Sequence, residues 1–168
     1  MIYLFFVLTA IAAILTYFIR IRLFSHVMVF LYVGLMCVLA IHLWPQAGNL
    51  LNEYFYSDRL GLIFYLILIL VSLFSAIHYV KFVEDRNVKV TDVALHNAGT
   101  IFFTGAIVGV LFTSHFGILW AFIEATTLGA SILIYHNRNQ DALEATWKYL
   151  YVCSIGIAIA FAGGLFLC

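Results

Sequence analysis

The chain has 168 residues, of which 65% are hydrophobic, 10% are charged and one is a proline; its mean hydropathy is +1.10. Soluble domains carry about a quarter charged residues, so soluble-enzyme and nucleic-acid-binding classes are excluded and an integral membrane protein remains. Eight Lys plus Arg balance eight Asp plus Glu, so net charge recruits no partner and only the placement of the charges can inform.

Met1 to Ile19 is an apolar run closed by Arg20 and Arg22, long enough at 1.5 Å per residue to cross a hydrocarbon core of about 30 Å. Its basic residues follow the apolar part instead of preceding it, which predicts a retained span and not a signal peptide. Leu23 to Trp44 is the second span, ended by Pro45, and Gln46 to Leu60 is a polar hairpin carrying Glu53, Asp58 and Arg59. Gly61 to Val80 is the third span. Lys81 to Asp92 is the most hydrophilic stretch and is expected to be a loop in water.

The fourth span is expected from Val93 to Thr113 and the fifth from Ile118 to Tyr135, with a turn at Ser114 to Gly117 between them. Asn137 to Asn139 is a polar loop. Asp141 followed by Glu144 has the spacing of a capping box, so the sixth helix is expected to start there and run to about Leu167. The organisation is an all-α membrane protein of about six transmembrane helices: three in 1–80, a cytoplasmic charged loop in 81–92, and three more in 93–168. The apolar runs are continuous, without the alternation of a membrane barrel, so strands are not expected.

Orientation follows from the basic residues, which collect on the cytoplasmic side. Arg20, Arg22, Lys81, Arg86, Lys89 and Arg138 share one side, with Lys148 toward it, and Arg59 falls alone on the other. Both ends of the chain are therefore expected outside the cytoplasm. Cys37, Cys153 and Cys168 form no Cys-x-x-Cys pair, and no phosphate loop, nucleophile elbow or zinc-ligand spacing is present. No cofactor, metal or catalytic residue is expected.

Glu124 lies between Trp120 and Thr126 within an apolar span, where intramembrane carboxylates mark ion or substrate paths. The alternatives are a buried carboxylate tying helices together or a residue near a helix end. Trp120, Glu124, Thr127 and Ser131 are spaced four, three and four, so they share one helix face, a polar stripe able to hold water or to pack against a neighbour. Lys148, early in the sixth helix, is within geometric reach of Glu124; it is equally placed to pair with Glu144 at i, i+4. His96 begins the fourth span beside Asn97 and Thr100, placed to titrate near neutral pH. His26 and His78 would suit haem ligation on facing helices, or simple interfacial positions.

WAFIEATTLGASILIYHNRNQDALEATWKYLYVCSIGIAIAFAGG, Trp120 to Gly164, resembles the proton-translocating, antiporter-like membrane subunits related to respiratory complex I. More narrowly, IEATTL followed by ALEATWKYLYVCSIGIA resembles the hydrogenase-4 component F branch of group 4 nickel-iron hydrogenase and formate hydrogenlyase complexes. Weaker similarity reaches back through TGAIVGVLFTSHFGILW and YSDRLGLIFYLILILVSLFSAIHYV. The resemblance implies a glutamate essential to proton transfer at Glu124, a lysine of helix six at Lys148, and an outer N-terminus. Members of that family are about three times this length, with inverted repeats and further lysines from a broken seventh helix onward. The expectation is thus the first six helices of an antiporter-like subunit, either part of a longer chain or a split subunit completed by another polypeptide.

The function this implies is proton or sodium translocation by a non-catalytic subunit of a hydrogenase or NADH dehydrogenase type complex in a bacterial or archaeal cytoplasmic membrane. Glu124 and Lys148 would form the relay, supported by Thr127, Ser131, His96 and Glu144, with other membrane subunits and the bilayer as partners and no nucleic acid. The alternative is a scaffold or assembly subunit that conducts nothing.

Overall fold

The computed structural model describes residues 1–48, 50–86, 88–135 and 140–167. It is an all-α membrane protein of six helices: α1 (Ile2–Phe18), α2 (Arg22–Leu43), α3 (Arg59–Arg86), α4 (Val90–Phe112), α5 (Phe116–Ile134) and α6 (Gln140–Leu167). Five are long and apolar enough to cross a membrane, and α1 is a shorter apolar helix of 17 residues, about 25 Å long. The Asn137–Asn139 loop, with Arg138 and His136, lies outside the described residues.

In a lipid-facing helix every side is apolar, so the buried side shows only in the packing. On α3 the buried positions are Leu62, Tyr65, Ile69, Ser72, Ala76, Tyr79 and Val83, alternating three and four apart as a coiled-coil seam does. On α1 they are Ile2, Phe5, Thr9, Ala12 and Thr16, with the same alternation. The hydroxyls of Thr9 and Thr16 donate to Phe5 O and Ala12 O one turn back, which satisfies them inside the seam.

α4 is the hub, in contact with α1, α2, α3 and α5. Its glycines allow this. A Cβ on Gly105 would run into Thr9 of α1, one on Gly109 into the Phe122 ring of α5, and one on Gly99 into Ile132 of α5. Two polar links cross to α2 and between α2 and α3: Asn97 Nδ2 donates to Ser25 Oγ at 2.8 Å, and Tyr65 Oη to Met36 O at 2.9 Å. α6 rests on α5, and no residue in its most apolar stretch is buried.

The charged stretch from Lys81 to Asp92 is mostly not a loop. α3 continues through Arg86, and α4 begins at Val90 with Asp92 in its first turn. Nothing in Lys81–Arg86 breaks a helix, and Val83 extends the buried seam, so losing apolarity ends the membrane segment without ending the helix. Arg86 lies 5.3 Å over the Phe82 ring and Arg22 donates to Val88 O at 2.7 Å, which closes this end of the bundle.

Strands, unexpected from the sequence, occur at the opposite end. β1 (Leu50–Asn52) and β2 (Phe55–Tyr56) pair antiparallel inside the polar hairpin. Two or three residues are too few for alternation to register. Gly48 enters the hairpin at φ 94°, a value that L side chains rarely adopt, and its N–H reaches Ser57 O. Tyr54 O accepts from Ser114 N at 2.8 Å and Thr113 Oγ1 at 3.2 Å, which ties the hairpin to the α4–α5 turn. Phe55 is thereby buried among the rings of Tyr3, Phe6 and Phe122, at 5.7, 5.6 and 6.5 Å, plugging the bundle end.

α6 begins at Gln140, so Asp141 is in its first turn and not at the position before it. The expected start at Asp141 and end at about Leu167 are met to within one residue, with Asp141 one position past the helix start. Glu144, the residue meant to reach back, points forward to Lys148 instead.

Candidate functional site

Glu124 is eight residues from the start of α5 and ten from its end, roughly 12 and 15 Å inside. A carboxylate at such a depth costs about 3 kcal/mol by insertion scales and needs a donor. Ser154 of α6 supplies one: its Oγ donates to Glu124 Oε1 at 2.7 Å, in partly buried surroundings. α5 and α6 are adjacent and antiparallel, so the pair bridges them in mid-span.

On the hairpin side the bridge borders an apolar cleft of about 140 Å³ between α5 and α6, lined by Trp120, Ile123, Ile157, Ala160 and Phe161 among others. Trp120 stacks on Phe161 at 4.7 Å, and Phe161 on Phe116 at 5.3 Å. The indole Nε1 of Trp120, one turn from Glu124, is buried and makes no hydrogen bond among the described residues. On the other side Thr127 and Ser131 are buried on the same face. Their hydroxyls donate to Glu124 O and Leu128 O, both at 2.7 Å. They keep lone pairs free to accept, but their protons are committed to the helix backbone.

The other residues singled out from the sequence lie elsewhere. Lys148 Nζ pairs with Glu144 Oε1 at 2.5 Å, both side chains largely exposed. Ser154, six residues further along α6, is the one level with Glu124, which leaves Lys148 about 9 Å nearer the helix start. A direct Glu124–Lys148 ion pair is thus replaced by a Glu124–Ser154 hydrogen bond and a Glu144–Lys148 surface pair. His96 stacks on Tyr79 at 3.7 Å, and His26 approaches the same tyrosine at 6.3 Å, near the charged end. The packing of Gly99 on Ile132 and Gly109 on Phe122 sets an antiparallel register in which Glu124 is opposite Ile107, about 16 Å from the level of His96.

The structure therefore gathers Glu124, Thr127 and Ser131 and leaves Lys148, Glu144 and His96 apart from them. Ser154 was not singled out from the sequence. Its signal was available: it is the hydroxyl residue within the apolar run Val152 to Leu167, where a polar group needs a partner on the facing helix. Among the described residues no three His, Cys, Asp or Glu side chains converge as metal ligands.

No protein-family model matches the chain, and no solved structure matches it. Over 53 residues it is 36% identical to a hydrogenase-4 component F homolog of Methylacidiphilum infernorum (isolate V4); the match covers 32% of this chain and 11% of that relative. The matched stretch is thus about a tenth of the relative's length.

Proposed function

We propose that the chain is an ion-translocating membrane subunit of a redox complex of hydrogenase or NADH dehydrogenase type. It would couple electron transfer in other subunits to the movement of protons or sodium ions across a bacterial or archaeal cytoplasmic membrane. The observation that carries this reading is Glu124, a mid-span carboxylate held across α5 and α6 by Ser154. The partial similarity to a hydrogenase-4 component supports it. In this reading Glu124 holds and releases the ion, Ser154 orients the carboxylate, and Lys148 biases its charge state from one to two turns away, with Thr127 and Ser131 as acceptors for water along α5. His96 and Glu144 stand at the charged end as entry groups. The hairpin end, with both chain ends, faces away from the cytoplasm, and the partners are other membrane subunits of the complex.

The scaffold reading has one observation in its favour: the protons of Thr127 and Ser131 are bound to backbone carbonyls, and Lys148 is paired at the surface. Glu124→Gln in the assembled complex separates the two. Loss of redox-driven ion movement with assembly intact is expected for a translocating subunit, and unchanged ion movement for a scaffold.

A further inference from the structure

At the hairpin end, Pro45 terminates α2 and the 3-10 turn Trp44–Gln46 carries the Trp44 ring outward. Gly61 lets the first turn of α3 lie against α4, where a Cβ would come within 3.2 Å of Leu111 O. Between the tips of α2 and α3 is a cavity of about 370 Å³ lined by Trp44, Pro45, Ala47, Arg59, Leu62 and Ile63. A second cavity of about 350 Å³, lined by Ala40, Ile41, Trp44 and Leu66, adjoins it at Trp44. Arg59, Ile63 and Leu66 are spaced four and three, so they share one face of α3, with Leu66 about 10 Å along the axis from Arg59. Taken as one cleft through their shared Trp44 wall, the two cavities set a guanidinium at one end and an apolar floor along the helices.

The charge at the mouth is selective. Among the described residues Arg59 is the one Lys or Arg at this end of the bundle, and its side chain forms no ion pair there. The neighbouring Asp58 carboxylate accepts the Arg59 backbone N–H at 2.8 Å through Oδ1, and among the described residues the guanidinium itself makes no hydrogen bond, so its donors face a ligand. The positive end of the α3 dipole adds to it. Arg favours phosphate oxygens, which it binds with paired N–H donors, and an exposed Trp is at home at headgroup level.

We infer that this cleft binds one anionic phospholipid, with its phosphate on Arg59, its glycerol beside Trp44 and an acyl chain along Ile63, Leu66 and Ile41. A zwitterionic lipid carries its own cation next to the phosphate and gains less from Arg59. The inference rests on the membrane fold and not on the ion-translocation reading.

The test is native mass spectrometry of the delipidated full chain, titrated in mixed micelles with phosphatidylglycerol or phosphatidylcholine. One phosphatidylglycerol is expected to be retained about tenfold more tightly than phosphatidylcholine, the size of one charge-assisted contact. Arg59→Gln is expected to abolish that preference and Arg59→Lys to keep part of it. Arg86→Gln, at the other end, should leave it unchanged, and Leu66→Trp, which fills the floor, should weaken both lipids. A preference that survives Arg59→Gln overturns the inference. So does glycerol phosphate competing as well as the whole lipid, which would mean a free-anion site. Exclusion of lipid by a second copy cross-linked through the Trp44 cleft overturns it as well.

Discussion

A carboxylate in mid-membrane is tolerated where something donates to it, and Ser154 is that donor for Glu124. Ser154→Ala removes the bond and leaves the helices otherwise in contact. The expected cost is about 0.5 to 2 kcal/mol, in the range of interhelical hydrogen bonds in membranes, read by unfolding in mixed micelles, with a shift of the Glu124 carboxyl stretch in infrared difference spectra. A wild-type spectrum in the variant would mean the bond does not hold the carboxylate. The Glu144–Lys148 pair is exposed on both sides, so Lys148→Gln should change stability by no more than about 0.5 kcal/mol. Glu124 was legible in the sequence because a charge inside an apolar run stands out. Its partner was not, because loop lengths decide which α6 residue comes level with it, and opposite charge drew the expectation to Lys148 while a neutral serine drew none.

Helix existence was legible from continuous apolar runs, and helix faces were not. Lipid is as apolar as a core, so Leu62 and Ile63 look alike in sequence while Leu62 is buried and Ile63 faces outward. The close approaches of α4 are the cost-sensitive part of the packing. Phe122 cannot yield to a side chain at Gly109, since its ring is stacked on Phe6 at 5.1 Å and bordered by Phe55. Gly109→Ala should therefore destabilise the bundle by about 1 to 3 kcal/mol. Gly156 of α6 has open space where its Cβ would be, and Gly156→Ala should be neutral or gain up to about 1 kcal/mol from helix propensity. Equal effects at the two glycines, measured by thermal unfolding in detergent, would contradict the observed α4–α5 contact.

Taken whole, the bundle has a polar asymmetry between its ends. One end carries Arg22, Lys81, Arg86 and Lys89, and the other the hairpin and Arg59. From the cytoplasmic bias of basic residues, we propose that the hairpin faces outward. In a variant cleared of its native cysteines, Asp58→Cys should react with an impermeant maleimide in intact cells and Lys89→Cys only after permeabilisation; the reverse pattern would invert the topology. The two charged ends were legible because they interrupt apolar runs, whereas the Phe55 plug was not, since it depends on Tyr54 meeting Thr113 and Ser114 some sixty residues on.

The central claim is that Glu124 carries the translocated ion. It is tested most directly by the redox-driven ion gradient formed across inverted membrane vesicles containing the assembled complex with Glu124→Gln. The account predicts that the gradient falls by at least about tenfold while the complex remains assembled. A gradient equal to that of the unaltered complex, at the same rate of electron transfer, would contradict it.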